Sequence, residues 1–390
     1  MRGLGLDLWD EDSQQLVQSR VPAWGPQVDG APSWGSEEKV HALSGFHECR
    51  RALSDPLLES KIDNQNLKQS DSNLLFLEGE EHARLRGVIG RALPSWRLTA
   101  ASTGRFIEHL VEAMPDHARI DLVSGFAEPI AEHTSRTMLG LPTGTEGDEG
   151  DQLAPLLSAM SAQFDPGSDA EALVSGMKAG HELLSHFRLA IRKKSYTHGS
   201  ALDLLNQARL AGELSIREML ASLVMLAHAS FQNTANLLSF AAVESMTNAR
   251  AYAALTSEDT ASHRRCVEEL LRLGSPARFL IRRAAVARAL GDVSIAEGDI
   301  VIPCVGLANR DSAVFARPDE LELDRDNNLV HLAFGAGPHA CLGAALARAE
   351  TLAAVCALTA RYRTLKIESV TWGSNAVMHG PLSLMVELTV

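Results

Sequence analysis

Residues 331–350 read HLAFGAGPHACLGAALARAE, a glycine-rich run that closes on Cys341 and gives way to Ala, Leu and Arg. The change in composition predicts a helix beginning near Leu342, with Cys341 at its entrance. Free N–H groups and the helix dipole favour a thiolate at such a position. Gly335 and Gly337 allow the backbone to fold tightly enough for amides to aim at the sulfur. Gly343 leaves room for a flat ligand against the first helical turn. A thiolate held this way suits a soft or borderline metal such as haem iron.

The chain has five cysteines, Cys49, Cys266, Cys304, Cys341 and Cys356, with no C-x-x-C pair among them. Their odd number and spacing fit neither a disulfide framework nor a zinc site. An apolar fraction of 45% over 390 residues is enough for a sizeable core. The net charge of −13 argues against nucleic acid and anionic membrane as partners. No run of about 20 apolar residues appears, and the start MRGLGLDLWDEDSQQ lacks the order of a secretory signal. A cytoplasmic location is expected. The basic clusters at 263–265 and 282–283 are local exceptions, and the first reads as solvated charge.

Helical spacing of apolar residues marks 78–93, 104–114, 124–140, 170–195, 215–247, 261–273 and 343–360. Short strands are expected within VSIAEGDIVIP at 293–303 and PLSLMVEL at 381–388. TGTEGDEGDQ at 143–152 reads as a surface loop, so one mainly α domain with minor β over 1–390 is predicted. Ser215 and Glu218 have the spacing of a capping box. The helix that follows, to about 247, would be about 48 Å long, apolar enough to be central and to cover a buried cofactor.

Phe334, Gly335, Gly337, His339, Cys341 and Gly343 reproduce F-G-x-G-x-H-x-C-x-G, so the chain resembles the bacterial soluble cytochrome P450 family. Upstream, EELLRLGSP supplies E-x-x-R as Glu269 and Arg272, neighbours at i,i+3 on a helix. PARFLIRRA, VSIAEGDIVIP, ANRD and FARPDELELDR follow in the family's order and end on Arg325. The resemblance implies that Glu269, Arg272 and Arg325 form a buried structural network. It also implies propionate partners: His82 and Arg86 from EEHARLR, Arg282 on a strand with Arg283 as rival if the register slips, and His339.

The central helix departs from the family pattern. Where A-G-x-(D/E)-T is usual, the register set by NTANLLS puts Ala229, Ser230, Gln232 and Asn233, with Thr234 one residue late. One helical residue rotates a side chain by about 100°. Amides hydrogen-bond but do not relay protons by titrating. Three explanations follow, in this order: the substrate supplies a polar group that organises water; the reaction is a one-electron oxidation, coupling or rearrangement; or haem is held without oxygenation. His228 on the same helix reads as a satisfied core histidine.

The resemblance implies a P450-like fold with haem b (iron protoporphyrin IX) between the long central helix and the Cys-loop helix. It implies a haem-thiolate monooxygenase or oxidase acting on a small molecule, free or carrier-bound, in bacterial secondary metabolism. Electrons would come from a ferredoxin-type donor with an NAD(P)H-dependent reductase, since no reductase domain is expected on this chain. The alternative is a P450-like recruitment or binding module without monooxygenase activity. Segments at 60–78, 155–190, 228–234, 276–281 and 374–380 would approach the substrate.

Overall fold

The computed structural model describes residues 39–60, 72–93, 96–142, 153–165, 168–290, 293–378 and 380–390. The expected loop at 143–152, and 61–71, 166–167 and 379 of the expected substrate segments, lie outside these. Along the chain come β1 (Val40–Leu43), α1 (Phe46–Ser54), β2 (Leu58–Glu59), α2 (Gly79–Ala92), α3 (Trp96–Ala113), β3 (His117–Asp121) and α4 (Glu128–Leu139). Then follow α5 (Leu153–Met160), α6 (Ala170–Lys193), α7 (Ala201–Leu210), α8 (Ile216–Thr247), α9 (Ala249–Leu255) and α10 (Thr260–Gly274). The last third holds β4 (Arg282–Ala284), β5 (Arg288–Leu290), β6 (Val293–Ile295), β7 (Ile300–Pro303), α11 (Val305–Ala308), α12 (Ala344–Arg361), β8 (Thr364–Trp372) and β9 (Pro381–Thr389).

The central helix is α8, 32 residues long and buried along most of its length. Its capping box is present: the Glu218 amide donates to Ser215 Oγ, and the Ser215 amide to the Glu218 carboxylate. Helices α4, α5, α6, α9, α10 and α12 all pack on α8, which accounts for a helix with no polar side. Helix α3 begins eight residues before its expected start. Its first half buries Thr99 and Thr103 in place of apolar residues, so the periodicity there is faint.

Strands form a four-stranded sheet in the order β1-β7-β4-β2, a three-stranded sheet β3-β9-β8 and a β5-β6 hairpin. In the first sheet β4 runs antiparallel to β7 and β1 parallel to it. This places Arg282 opposite Val301, with the rest of β7 buried beneath.

The loop from 309 to 325 is fastened to α10 by charge. Arg272 Nε and Nη2 donate to Glu269 at 2.7 and 2.9 Å, and Arg325 Nε donates to Glu269 Oε2 at 3.0 Å. Arg272 Nη1 and Nη2 also reach the carbonyls of Asn309, Pro318 and Glu320. Burial alone would raise the Glu269 carboxyl, but the hydrogen bond and charge of Arg272 hold it below the usual range.

Candidate functional site

The Cys341 loop is shaped by two left-handed glycines, Gly335 at φ 68° and Gly337 at φ 70°. A Cβ on Gly337 would lie 2.6 Å from the Leu53 carbonyl oxygen, so only glycine lets this loop rest on the end of α1. The Cys341 amide donates to the Phe334 carbonyl at 2.9 Å and closes the loop. Phe334 lies under the Arg348 guanidinium, 4.6 Å from the ring centroid, and Arg348 is held by Glu268 at 2.6 and 3.0 Å. The loop conformation therefore depends on side chains from both α10 and α12.

Cys341 alone among the five cysteines is exposed. Burial pushes the thiols of Cys266 and Cys304 up to about 12. Helix α12 starts at Ala344, not at Leu342, and Leu342–Gly343 form a turn between sulfur and helix. Instead of sitting on the first helical turn, the sulfur receives the Gly343 amide. The expected thiolate stabilisation is therefore partial. Cys341 is exposed as a residue, yet burial of its thiol by the protein around it raises the pKa, against the Gly343 amide and the charges of Arg86 and Arg348. A coordinated metal ion deprotonates a thiol outright, a far larger effect than any helix end. A Cβ on Gly343 would stand 3.8 Å from Cys341 Sγ, on ground that a flat ligand would need.

Three of the sequence-predicted side chains, His82, Arg86 and His339, come together at this loop. His82 and Arg86, one turn apart on α2, face it: the His82 ring lies 4.2 Å from that of His339, and Arg86 Nη2 donates to the Ala340 carbonyl at 2.6 Å. His82 is buried, and its Nε2 has no hydrogen-bond partner. Burial, with the charges of His339 and Arg86, lowers its pKa to about 4. Arg282 is buried on β4 and donates Nη1 to the Ile281 carbonyl at 2.9 Å. It forms no ion pair among the described residues. Arg283, the rival register, projects from the opposite face of the strand.

Sequence reasoning placed Ser60 and Glu78 only at the ends of an expected substrate segment and gave neither a role beside His339. The Glu78 carboxylate accepts from the Ser60 amide and hydroxyl, each at 2.6 Å, and lies 3.2 Å from His339 Nε2. Burial opposes its ionisation, but these bonds bring it down to about 2. Only its place just before EEHARLR could have drawn attention to Glu78. Nothing local in the sequence pairs Ser60 with Glu78.

Helix α8 carries Gln232 and Asn233. Gln232 Nε2 donates to Asn236 Oδ1 at 3.2 Å, and its carbonyl accepts from Ser161 Oγ at 3.4 Å. Ser161 Oγ also lies 3.0 Å from His228 Nε2, and the His228 ring stacks on Phe164 at 4.7 Å. His228 is thus a satisfied core histidine, its pKa lowered to about 4 by burial. Ser230 joins α8 to α4 through Ser135 Oγ at 2.7 Å. Thr234, one residue past Asn233, is buried. Asn233 differs from all of these: its Oδ1 is buried without a partner.

These residues fit an iron porphyrin. The thiol of Cys341 suits an axial ligand, and the orphaned His82 nitrogen and unpaired Arg282 suit carboxylate side chains. No group of three or more His, Cys, Asp or Glu among the described residues could hold a bare metal ion. Among them, too, no helix is long and apolar enough to cross a membrane.

Residues 150–372 match the family model described as Cytochrome P450. The chain is similar to a biotin biosynthesis cytochrome P450 of Bacillus subtilis (strain 168), 27% identical over 87% of this chain and 86% of that one. It is also similar to nocardicin C N-oxygenase of Nocardia uniformis subsp. tsuyamanensis, 31% identical over 80% of this chain and 79% of that one. Among solved structures, P450BioI in complex with hexadec-9Z-enoic acid ligated acyl carrier protein superposes with a TM-score of 0.82. At 23% identity, that match covers 96% of this chain and 99% of the other and shows the fold.

Proposed function

Because the chain belongs to the cytochrome P450 family, we propose that Cys341 is the axial ligand of haem iron and that the protein oxidises a small organic molecule of bacterial secondary metabolism. The observation that carries this is the setting of Cys341: one exposed cysteine, on a loop fixed by Gly335, Gly337 and Phe334, beside an unpartnered His82 nitrogen. Nocardicin C N-oxygenase is a relative whose name supports the substrate class.

When bound, the haem supplies the redox chemistry, and the chain supplies binding, orientation and access. His82, Arg86, Arg282 and His339 would hold the propionates, and Gly343 would leave space for the ring. The non-covalent form, haem b, fits a chain with no C-x-x-C-H attachment motif. Glu269, Arg272 and Arg325 keep the Cys-side loops in place and touch no substrate. Gln232 holds α8 to Ser161 and positions Asn233, whose free amide would hydrogen-bond a substrate polar group or a water it holds. Protons would come from that water or from the substrate, since an amide does not titrate.

A ferredoxin-type protein with an NAD(P)H-dependent reductase would deliver electrons in the cytoplasm. The substrate would arrive free or on a carrier, the latter suggested by the carrier-protein complex of the structural neighbour. A second reading, a haem-holding recruitment module, rests on the missing acid at Gln232. Reconstitution with a ferredoxin, its reductase and NADPH, on compounds chosen by their shift of the haem spin state, separates the two. The proposal expects oxidised product in proportion to NADPH consumed. Tight binding of many compounds with no product from any would support the module instead.

A further inference from the structure

Helix α6 carries a long stripe of exposed residues, and its composition runs against the rest of the chain. Val174, Lys178, His181, Ser185, Arg188 and Arg192 recur at alternating spacings of four and three and are all exposed. Such residues form one face of a helix, here about 27 Å long. Lys193 and Lys194 extend it, so five cations lie on this segment against two acids, Glu171 and Glu182. None of the five forms an ion pair among the described residues. Several exposed arginines elsewhere are paired to carboxylates, as in Arg84–Glu218, Arg119–Glu368, Arg250–Glu322 and Arg361–Asp116, and those that are not, such as Arg97 and Arg363, do not line up along one helix face. An unpaired basic stripe on a chain of net charge −13 is a local reversal of field.

The stripe is not purely polar. Val174 is 50% exposed, Met177 beside it 43%, and Leu189 38%. Small apolar contacts ringed by charge are typical of a protein-binding surface. A helix that lies in a membrane interface segregates a continuous apolar face toward lipid. The apolar face of α6, with Ala179, Leu183, Phe187 and Ala190, is already buried in the protein.

The inner side of α6 connects this face to the site. Gly176 and Gly180 let α6 settle on the end of α5: a Cβ on Gly176 would lie 3.0 Å from the Ala159 carbonyl oxygen. Gln163 Nε2 donates to the Gly176 carbonyl at 2.8 Å. Two residues earlier is Ser161, which bonds His228 and Gln232 on α8. A protein seated on α6 would therefore stand directly over the segment that covers the amide pair.

We propose that the outer face of α6 docks a small acidic carrier protein that presents a covalently tethered substrate to the side of the site held by Ser161 and Gln232. The proposal rests on the P450 reading above. Its partner is fixed by charge complementarity and by the position of the stripe over the substrate side.

The test uses full-length, haem-loaded protein and a purified bacterial acyl carrier protein loaded with a palmitoyl chain. Binding is read by fluorescence anisotropy of the labelled carrier protein. Affinity should fall about tenfold or more between low and moderate salt, as expected for screened charges. The triple variant Lys178→Glu, Arg188→Glu, Arg192→Glu should bind at least about tenfold more weakly. Reversing three exposed cations elsewhere, Arg97→Glu, Arg363→Glu and Lys366→Glu, should leave binding unchanged. Both triple variants should keep the wild-type carbon monoxide spectrum and imidazole affinity. No salt-sensitive binding by the wild type, equal weakening by the control variant, or tighter binding to phosphatidylglycerol vesicles would each overturn the docking proposal. A wild-type protein without a thiolate spectrum would instead overturn the P450 reading beneath it.

Discussion

Glu269 and Arg272 meet at two points with no exposed surface on either side chain. The same carboxylate takes Arg325 and the Glu322 amide, so one acid organises the loop before the Cys341 segment. Removing one partner of a buried pair leaves an uncompensated charge and costs about 3–5 kcal/mol. Glu269→Ala and Arg272→Ala should therefore yield little haem-loaded protein, with a melting temperature many degrees lower. Arg325→Ala, which removes one arm only, should be milder. Thermal melts and haem-to-protein ratios measure this, and wild-type values for Glu269→Ala would contradict it.

Glu350 on α12 is buried, with Oε1 unpartnered, and its pKa is raised from 4.5 to about 8 by burial, against a hydrogen bond from Thr134. The folded state thus keeps a proton that the unfolded chain releases. That contribution to stability is complete below about pH 4.5 and is lost as pH rises toward 8, at up to about 1.4 kcal/mol per unit. Glu350→Gln should flatten stability across pH 4.5–8 and make the protein more stable at pH 8. Denaturant melts at several pH values test this. An unchanged slope in the variant would mean that Glu350 is ionised in the fold.

Arg282 and His82 are buried polar groups that form no ion pair among the described residues, and the acid that acts on both is Glu78. Losing one hydrogen bond to a ligand carboxylate costs about 1–3 kcal/mol. Arg282→Ala and His82→Ala should each release haem to a scavenging apoprotein about five- to a hundredfold faster, with the fold intact by circular dichroism. Arg283→Ala should not. Equal effects from Arg282 and Arg283 would point to a general loss of strand stability.

At the amide pair, Gln232→Asp with Asn233→Thr would restore the usual residue types but break the Gln232–Asn236 bond and introduce a carboxylate beside Ser161. The double variant should bind substrate about five- to a hundredfold more weakly and form less product per electron. Spin-state titration and coupling measurements report both. Unchanged affinity with better coupling would show the amides to be a defect.

The sequence was most legible where the chemistry is contiguous. Phe334 to Gly343 could be read as one loop because its glycines, histidine and cysteine act within ten residues. The capping box Ser215–Glu218 was legible for the same reason. Glu269 and Arg325, 56 residues apart, could be joined only through motif order. Ser60, Glu78 and His339 were not joined at all, since Ser60 and His339 meet across 279 residues and no local pattern requires it. Ser161 was hidden likewise: its partners His228 and Gln232 lie on another helix. Helix α12 begins two residues later than its composition suggested because Leu342 and Gly343 carry the turn that delivers an amide to the sulfur.

The central claim is that Cys341 holds haem iron. The most direct measurement is the absorption spectrum of the reduced protein under carbon monoxide, for the wild type and five single cysteine-to-alanine variants. Thiolate ligation predicts a long-wavelength Soret band in the wild type, in Cys49→Ala, Cys266→Ala, Cys304→Ala and Cys356→Ala, and none in Cys341→Ala. Retention of the band in Cys341→Ala, or its loss in another variant that still binds haem, would contradict the account.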